Sequence, residues 1–308
     1  MISEIYRAQA DLLLQVIPFI AREKNLALKG GTAINLFIRE MPRLSVDVDL
    51  TYLPIDSRRD ALRNIQKSLI RIKSDIENNV DGIYVHTVFE KGGSIMKLNC
   101  QKQKAQIKIE VNTITRGNVF PAKLMQVRDT VQKEFGKFAA INVVSLGELY
   151  GSKICAAVDR QHPRDIFDIK LLFENEEITD EIWDGFKVSL ISHYKPISEL
   201  VSPVLKDQKS AFKKQFAGMT SIEFTYDEYI SIRKTLIKKI KQKLTDEDKR
   251  FIVSFEKGEP EWDLFPLPIL KELPAVQWKL FNIDKLRKSN PSKHKTLIKK
   301  LELILDSI

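Results

Sequence analysis

Two aspartates at alternate positions are the residues whose type and spacing most directly suggest chemistry. Asp47 and Asp49 lie in the alternating run SVDVDL, residues 45–50. Because side chains alternate between the faces of a strand, we expect both carboxylates on one face, about 7 Å apart. Carboxylates at that spacing repel each other unless a cation lies between them, and oxygen ligands suit Mg²⁺ or Mn²⁺. The pattern therefore favours a divalent metal site.

A glycine pair and a threonine precede these aspartates. Gly30 and Gly31 allow backbone N–H groups to approach an anion, and Thr32 adds a hydroxyl. We expect Thr32 to cap a helix over residues 33–39, whose N-terminus would then face a phosphate. A phosphate cradle followed by a metal-binding strand is what nucleotidyl transfer requires. A tight turn without a ligand is the plainer interpretation of the glycines by themselves.

A third carboxylate lies on a later predicted strand, residues 106–113. Lys108, Glu110 and Asn112 alternate there with apolar residues and share one face. If this strand neighbours the aspartate strand, Glu110 becomes a further candidate metal ligand. A solvent-facing strand residue is the alternative interpretation of Glu110.

The second half of the chain carries most of the basic excess. The formal net charge is +9, and most of it lies after Lys206, where a predicted helix over residues 229–244 places Arg233 and a run of lysines opposite its apolar side. Such a surface favours a polyanionic partner, nucleic acid before membrane, although a soluble lysine-rich face is an equal alternative. The two cysteines, Cys100 and Cys155, offer no disulfide framework or zinc spacing, so we expect a cytoplasmic protein.

The elements that must position these residues predict an α+β fold of two domains. Residues 1–175 alternate helical and strand patterns, and residues 176–308 are helical and basic. Helical periodicity predicts helices over residues 3–24 and 56–79. A glycine pair, Gly92-Gly93, indicates a hairpin turn, and residues 114–141 are expected to be a connector with a short helix.

Lys153 lies on a predicted helix over residues 146–159. Asp165 and Asp168 follow at a spacing that places both on one exposed helix face. A structural salt-bridge cluster is the plainer interpretation of these charges. No stretch is apolar enough to span a bilayer.

Five stretches together resemble the AbiEii/AbiGii toxin family, which includes the MenT enzymes and belongs to the polymerase-β-like nucleotidyltransferase superfamily. In chain order they are KGGTAINL, RLSVDVDL, IKIEVN, LYGSK and RQHPRDIFDIKLL. The resemblance covers roughly residues 25–175. It implies a mixed-sheet nucleotidyltransferase domain joined to a helical C-terminal domain. Many members have Gly-Ser where this chain has Gly31-Thr32, and the spacing to the aspartates varies.

The resemblance also implies a function. Members act as toxins of type IV toxin–antitoxin, or abortive infection, systems beside a winged-helix antitoxin. Some add nucleotides, mainly pyrimidines, to the 3′ acceptor end of tRNA, and others are described as binding GTP. We therefore expect an NTP substrate, tRNA and an antitoxin as partners, no membrane, and a monomer.

By motif position, the resemblance assigns the phosphate-binding turn to Gly31 and Thr32 and the metal carboxylates to Asp47 and Asp49, and it matches a lysine and an aspartate to Lys153 and Asp165. The other candidates come from their residue type and place in the chain. The residues expected to be catalytic are Asp47, Asp49, Lys153 and Asp165. Those expected to bind the nucleotide are Gly30, Gly31, Thr32, Arg43, Ser45 and Arg164. Those expected to hold metal are Asp47, Asp49 and Glu110, and a second ion could activate the attacking 3′-hydroxyl.

Two other functions stay open. The chain could transfer a nucleotide to a protein or a small molecule, as other members of the superfamily do. It could also be a degenerate module that binds nucleotide or RNA without catalysis, in which case Asp49→Asn would be tolerated.

Overall fold

The computed structural model describes residues 3–89 and 95–308. The chain forms two compact units, one of Met1–Ser145 with Phe216–Glu223, the other of Leu146–Gln215 with Phe224–Ile308. The units thus separate at Ser145, before the boundary expected at residue 175, because residues 146–175 form helices that pack with later helices. How functions divide between the two parts stays a prediction.

The first unit is built on a mixed sheet, in the spatial order β3-β4-β5-β2-β1-β7-β6. The strands are β1 Leu26–Lys29, β2 Asp47–Tyr52, β3 Ile83–Phe89, β4 Ile95–Lys102, β5 Ala105–Asn112, β6 Lys123–Gln126 and β7 Ala140–Val143. β2 runs parallel to β5, and β1 runs parallel to β7, whereas the other neighbours are antiparallel. The central strand β2 therefore lies between β1 and β5.

Helices cover the apolar face of this sheet. Those of the first unit are α1 Glu4–Ile20, α2 Gly30–Thr32, a π-helix Ala33–Ile38, α3 Arg58–Asn79 and α4 Asp129–Phe135. α1 packs on β5 and α3 on β4, which buries Val48, Leu50 and Ile109. The alternation of the strands leaves their other face polar. That polar face carries the aspartate pair.

Most of the expected elements of this unit are present, with one clear error. Residues 114–141 were expected to be a connector with at most a short helix. They contain β6, α4 and the start of β7. These strands are only four residues long, too short for alternation to mark them. The hairpin turn expected at Gly92 and Gly93 lies outside the described residues.

The second unit is helical in the residues that the structure describes. Its α-helices are α5 Leu146–Arg160, α6 Pro163–Asn175, α7 Asp180–Ser192, α8 Ile197–Val201, α9 Lys209–Ala211, α10 Tyr226–Lys243, α11 Asp246–Lys257, α12 Pro274–Ser289 and α13 Pro291–Asp306. Its shorter helical turns are a π-helix Phe212–Phe216 and 3₁₀ turns at Trp262–Leu264 and Pro268–Lys271.

Glycines allow α5 and α7 to cross at close range. A methyl group on Gly151 would lie 2.2 Å from the carbonyl carbon of Gly185, and one on Gly185 would lie 2.0 Å from the carbonyl oxygen of Gly147. Real carbon atoms do not approach so closely. The glycine of the LYGSK stretch is therefore explained by helix packing.

Cys100 and Cys155 are both free and buried. Among the described residues, none of the helices is both long and apolar enough to cross a bilayer.

Candidate active site

The two aspartates lie on the polar face of β2. Their neighbours in sequence, Val48 and Leu50, are fully buried on the opposite face, whereas both carboxylates are half-buried. In the register of the sheet, Asp49 is paired with Lys29 of β1 on one side and Glu110 of β5 on the other. The expected face-sharing of the aspartates is therefore present at the centre of the sheet.

Gly30 lies against this pair. Its φ of +73° is in the left-handed region, which glycine adopts without strain. A methyl group on Gly30 would lie 2.8 Å from Oδ2 of Asp49. The turn and the aspartate strand, expected to act together, are thus in direct contact.

Thr32 lies beneath the turn and is buried. Its hydroxyl donates to the carbonyl oxygen of Asp47 at 2.5 Å and lies 3.0 Å from Oγ of Ser45. The expectation that Thr32 caps a following helix was wrong, because helical structure already begins at Gly30 and Thr32 has helical φ and ψ without a side-chain cap. Thr32 therefore holds the backbone of the aspartate strand.

Gly31 is adjacent to the second part of the expected nucleotide site. A methyl group there would lie 2.7 Å from Nη2 of Arg43 and 3.1 Å from Oγ of Ser45. Arg43 is buried, and its Nη1 donates to the carbonyl oxygen of Leu44 at 3.0 Å. One cluster therefore contains every residue expected from the first unit to bind the nucleotide.

The loop that carries Arg43 is held by a segment that returns from far along the chain. The N–H of Leu44 donates to the carbonyl oxygen of Met219 at 2.7 Å, and the hydroxyl of Thr220 donates to that of Pro42 at 2.7 Å. We did not expect this role for residues 216–223. No local pattern marks it, since the segment has neither helical nor strand periodicity.

Glu110 lies on the same face but forms ion pairs with lysines. Its Oε2 is 2.8 Å from Nζ of Lys108 and 3.4 Å from Nζ of Lys97. Burial raises the pKa of Glu110, but the hydrogen bond and charge of Lys108, with help from Lys97, outweigh burial and lower the pKa. Lys108 was expected on this face, without a role of its own.

The remaining expected residues lie in the second unit, around the ammonium group of Lys153. Its Nζ is 2.9 Å from Oδ1 of Asp165 and 3.0 Å from Oδ2 of Asp168, and Arg160 also contacts Asp165 at 2.9 Å. Asp165 and Asp168 were expected to be exposed, but both are buried, because their helix face packs on α5. The cluster joins α5 to α6.

The positive charges in this cluster lower the pKa of one of its carboxyl groups. Burial raises the pKa of Asp165, but the charges of Lys153 and Arg160 outweigh burial and hold the pKa below its ordinary value. Arg164 lies in the first turn of α6, where its N–H donates to Nδ1 of His162 at 3.2 Å. The catalytic role of Lys153 and Asp165 and the nucleotide-binding role of Arg164 stay predictions.

The donor set suits a metal that a nucleotide helps to hold. No group of three or more His, Cys, Asp or Glu side chains within residues 3–89 and 95–308 is arranged as a metal site. Mg²⁺, however, commonly uses one or two carboxylates together with substrate phosphates. Asp47 and Asp49, with the Gly30 turn beside Asp49, fit that pattern.

Comparisons with known proteins found a matching family and a similar fold. The family model described as "Nucleotidyl transferase AbiEii toxin, Type IV TA system" matches residues 11–282. A similar solved structure is MenT4, a nucleotidyltransferase toxin from Mycobacterium tuberculosis H37Rv. The TM-score is 0.61 at 12% identity, over 90% of this chain and 93% of that chain. This likeness shows a shared fold. No curated protein matches the chain.

Proposed function

The chain belongs to the AbiEii family of nucleotidyl transferase toxins of type IV toxin–antitoxin systems, and from that premise we propose that it transfers a nucleotide from an NTP to the 3′ acceptor end of tRNA. A pyrimidine nucleotide is the expected donor. The transfer would block aminoacylation and so arrest translation. The 3′-hydroxyl attacks the α-phosphorus, the bond to the β-phosphate breaks, and pyrophosphate leaves.

One observation carries this proposal: the contact between Gly30 and the carboxylate of Asp49. An NTP needs bare backbone N–H groups for its phosphates beside carboxylates for its metal. Here the glycine turn that would offer such N–H groups is adjacent to the carboxylates, at the start of a helical segment whose backbone dipoles would also favour an anion. Neither group of residues alone would distinguish nucleotide chemistry from an ordinary turn or strand.

Each residue of the cluster has a separate task in this proposal. Asp47 and Asp49 would hold Mg²⁺ or Mn²⁺, which neutralises charge on the triphosphate as the transition state forms. The hydroxyl of Thr32 donates to the carbonyl oxygen of Asp47 and so holds that residue in place. Arg43 lies beside Gly31. Its planar, positively charged guanidinium group would bind phosphate oxygens.

The second unit offers a surface suited to the RNA backbone. On α10, Lys234, Lys238 and Lys239 are exposed. Arg233 was expected to lie with these lysines on the polar side of the helix, but it is buried. It donates to the side-chain oxygen of Gln161 and to the carbonyl oxygen of Lys206. Lysines spaced along a helix contact phosphates without reading bases, so we expect binding that weakens steeply with salt.

A labelling assay tests the reaction. Purified protein is incubated with total tRNA, Mg²⁺ and each NTP labelled at the α-phosphate. We expect label at the RNA 3′ end, and none with Asp47→Asn or Asp49→Asn. Asp81→Asn, an exposed aspartate of the same unit, is the matched control and should label normally. A folded protein that labels no RNA would contradict the proposal.

The same assay separates the other functions. Label on a protein or a small molecule, with none on RNA, would favour a different acceptor. A degenerate binding module would bind NTP, transfer no label, and tolerate Asp49→Asn in a growth-arrest assay.

We further propose a cytoplasmic monomer that a winged-helix antitoxin neutralises. Membership of a type IV toxin–antitoxin family implies an antitoxin partner, and we propose that its gene neighbours the toxin gene. Co-expression of the neighbouring open reading frame should restore growth in cells that make the toxin. Light scattering of the purified chain checks the oligomeric state.

A further inference from the structure

The polar face of the sheet brings three carboxylates and two ammonium groups together. Lys108 is paired in register with Asp47, and Glu110 is paired with Asp49 on one side and Lys97 on the other. In-register residues of neighbouring strands lie about 5 Å apart and share a face. The ammonium of Lys108 therefore lies on the face of the aspartates, held by Glu110 at 2.8 Å.

We propose that Lys108, anchored by Glu110, takes the place of a second divalent cation, so that this site binds a single metal ion. The inference rests on the proposed function, because it concerns the metal that Asp47 and Asp49 would hold. Glu110 is then a positioning residue for Lys108 and not a metal ligand.

Ion pairing argues against Glu110 as a ligand. To coordinate a metal, its carboxylate would give up a hydrogen-bonded ion pair with Lys108 and a longer one with Lys97. A metal at that position would also lie beside two ammonium groups, and each would repel it. Consistent with this, the part of the chain that the structure describes contains no three-ligand group.

The balance of charges on this face also favours a single metal ion. The carboxylates of Asp47, Asp49 and Glu110 bring three negative charges, and Lys97 and Lys108 return two positive charges. One divalent ion suffices to compensate the remainder and to attract a triphosphate. A second ion would have to enter a cluster that is already neutralised, without a carboxylate left to bind it.

Lys108 can also do what a second ion would do. A lysine is a compact point charge on a flexible stem, and a half-buried lysine beside the metal site can approach phosphate oxygens. Asp47, paired in register with Lys108, places a further carboxylate on the same face of the sheet.

Metal counting tests this assignment without any turnover. Mn²⁺ alone is titrated into the full chain, and free Mn²⁺ is followed by electron paramagnetic resonance. We expect one bound Mn²⁺ in the native protein and loss of it in Asp47→Asn. Lys108→Met should admit a second Mn²⁺ or tighten the first by roughly tenfold, because a unit positive charge is removed from about 5 Å.

Two matched variants isolate the position of the charge. Lys104→Met removes a lysine from the exposed turn of the same hairpin and should leave stoichiometry and affinity unchanged. Lys108→Arg keeps the charge and should keep one Mn²⁺. Circular dichroism and thermal melting establish that each variant is folded, and Lys108→Gln replaces Lys108→Met if the latter is not.

The outcomes are separable. Two Mn²⁺ ions in the native protein, or a Lys108→Met protein that behaves like Lys104→Met, would overturn the role of Lys108. Loss of Mn²⁺ binding in Glu110→Gln, with Lys108→Met also weakened, would restore Glu110 as a ligand and overturn it too. A native protein that binds no Mn²⁺ through Asp47 would instead contradict the proposed metal-dependent transfer itself.

Discussion

Gly30 lies so close to Asp49 that a methyl group on the glycine would come within 2.8 Å of a carboxylate oxygen. The contact joins the turn that offers backbone N–H groups to the strand that offers carboxylates. A side chain at position 30 must therefore either displace Asp49 or move the turn. Both changes would disturb the proposed nucleotide site, in which the turn would bind phosphate and the aspartates would hold metal.

Gly30→Ala should accordingly abolish nucleotide transfer. The positive φ disfavours a side chain by about 1–2 kcal/mol, and the clash with Asp49 adds to that. Gly82→Ala is the matched control, because Gly82 also has a positive φ but no described atom lies within 4 Å of a methyl group there. Both variants should lose some stability in thermal melts, and only Gly30→Ala should lose label transfer. Equal activity of the two would contradict the contact's importance.

The Thr32 hydroxyl offers a second prediction, since it holds the carbonyl oxygen of Asp47. Thr32→Ser should retain most activity, because the hydroxyl remains. Thr32→Val has a similar shape but leaves the part-buried carbonyl oxygen of Asp47 without this partner, at a cost of about 1 kcal/mol. We expect Thr32→Val to lower both transfer rate and melting temperature. If both variants keep full activity, Thr32 does not position the strand.

Helix packing in the second unit gives a prediction about stability. Gly151→Ala would place a methyl group 2.2 Å from the backbone of Gly185, so α5 and α7 must separate. Overpacking of this kind costs about 1–3 kcal/mol or more. A clearly lower denaturation midpoint is expected in urea, whereas Ser152→Ala on the same helix should change it little. An unchanged midpoint would mean that the helices separate freely.

The buried ion pairs around Lys153 predict the effect of removing it. Lys153→Met leaves Asp168 buried without this charge, and breaking such a pair typically costs about 3–5 kcal/mol. The melting temperature should therefore fall. If label transfer measured at a temperature where the variant is folded is also lost, the expected catalytic role is supported. Normal transfer there would leave Lys153 a structural residue.

Acid sensitivity is predicted from Asp248, which joins α7 to α11. It accepts hydrogen bonds from Trp183 at 3.0 Å and Lys187 at 2.9 Å. Burial raises the pKa of Asp248, but these bonds outweigh burial and lower it. A carboxyl group with a lowered folded-state pKa stabilises the protein above its unfolded pKa of about 3.9. That contribution is lost as the pH falls through the folded value.

The native protein should thus lose stability below about pH 4, and Asp248→Asn should lose less over the same range. Urea denaturation between pH 7 and pH 3 measures the difference. Asp263→Asn, an exposed aspartate of the same unit, should follow the native curve. Parallel curves for native protein and Asp248→Asn would show that other groups control the acid transition.

Local sequence patterns were sufficient to predict many of the helices and strands of this protein. Alternation along residues 45–50 predicted that Asp47 and Asp49 share a face, and helical periodicity predicted α1, α3 and α5. Whether the Glu110 strand neighbours the aspartate strand was left open by the sequence, and the register shows that it does. The predicted features depend on residues that are close in sequence or on faces that repeat with a fixed period.

The sequence by itself therefore determined which functional groups are present, namely a carboxylate pair and a glycine turn. It also carried the family likeness in short motifs. Only the tertiary structure decided which groups meet. It paired Glu110 with Lys97 and Lys108, buried Asp168 against Lys153, and brought residues 216–223 back to hold the loop of Arg43. Such contacts join segments distant along the chain, and their free energy comes from packing that no local periodicity records.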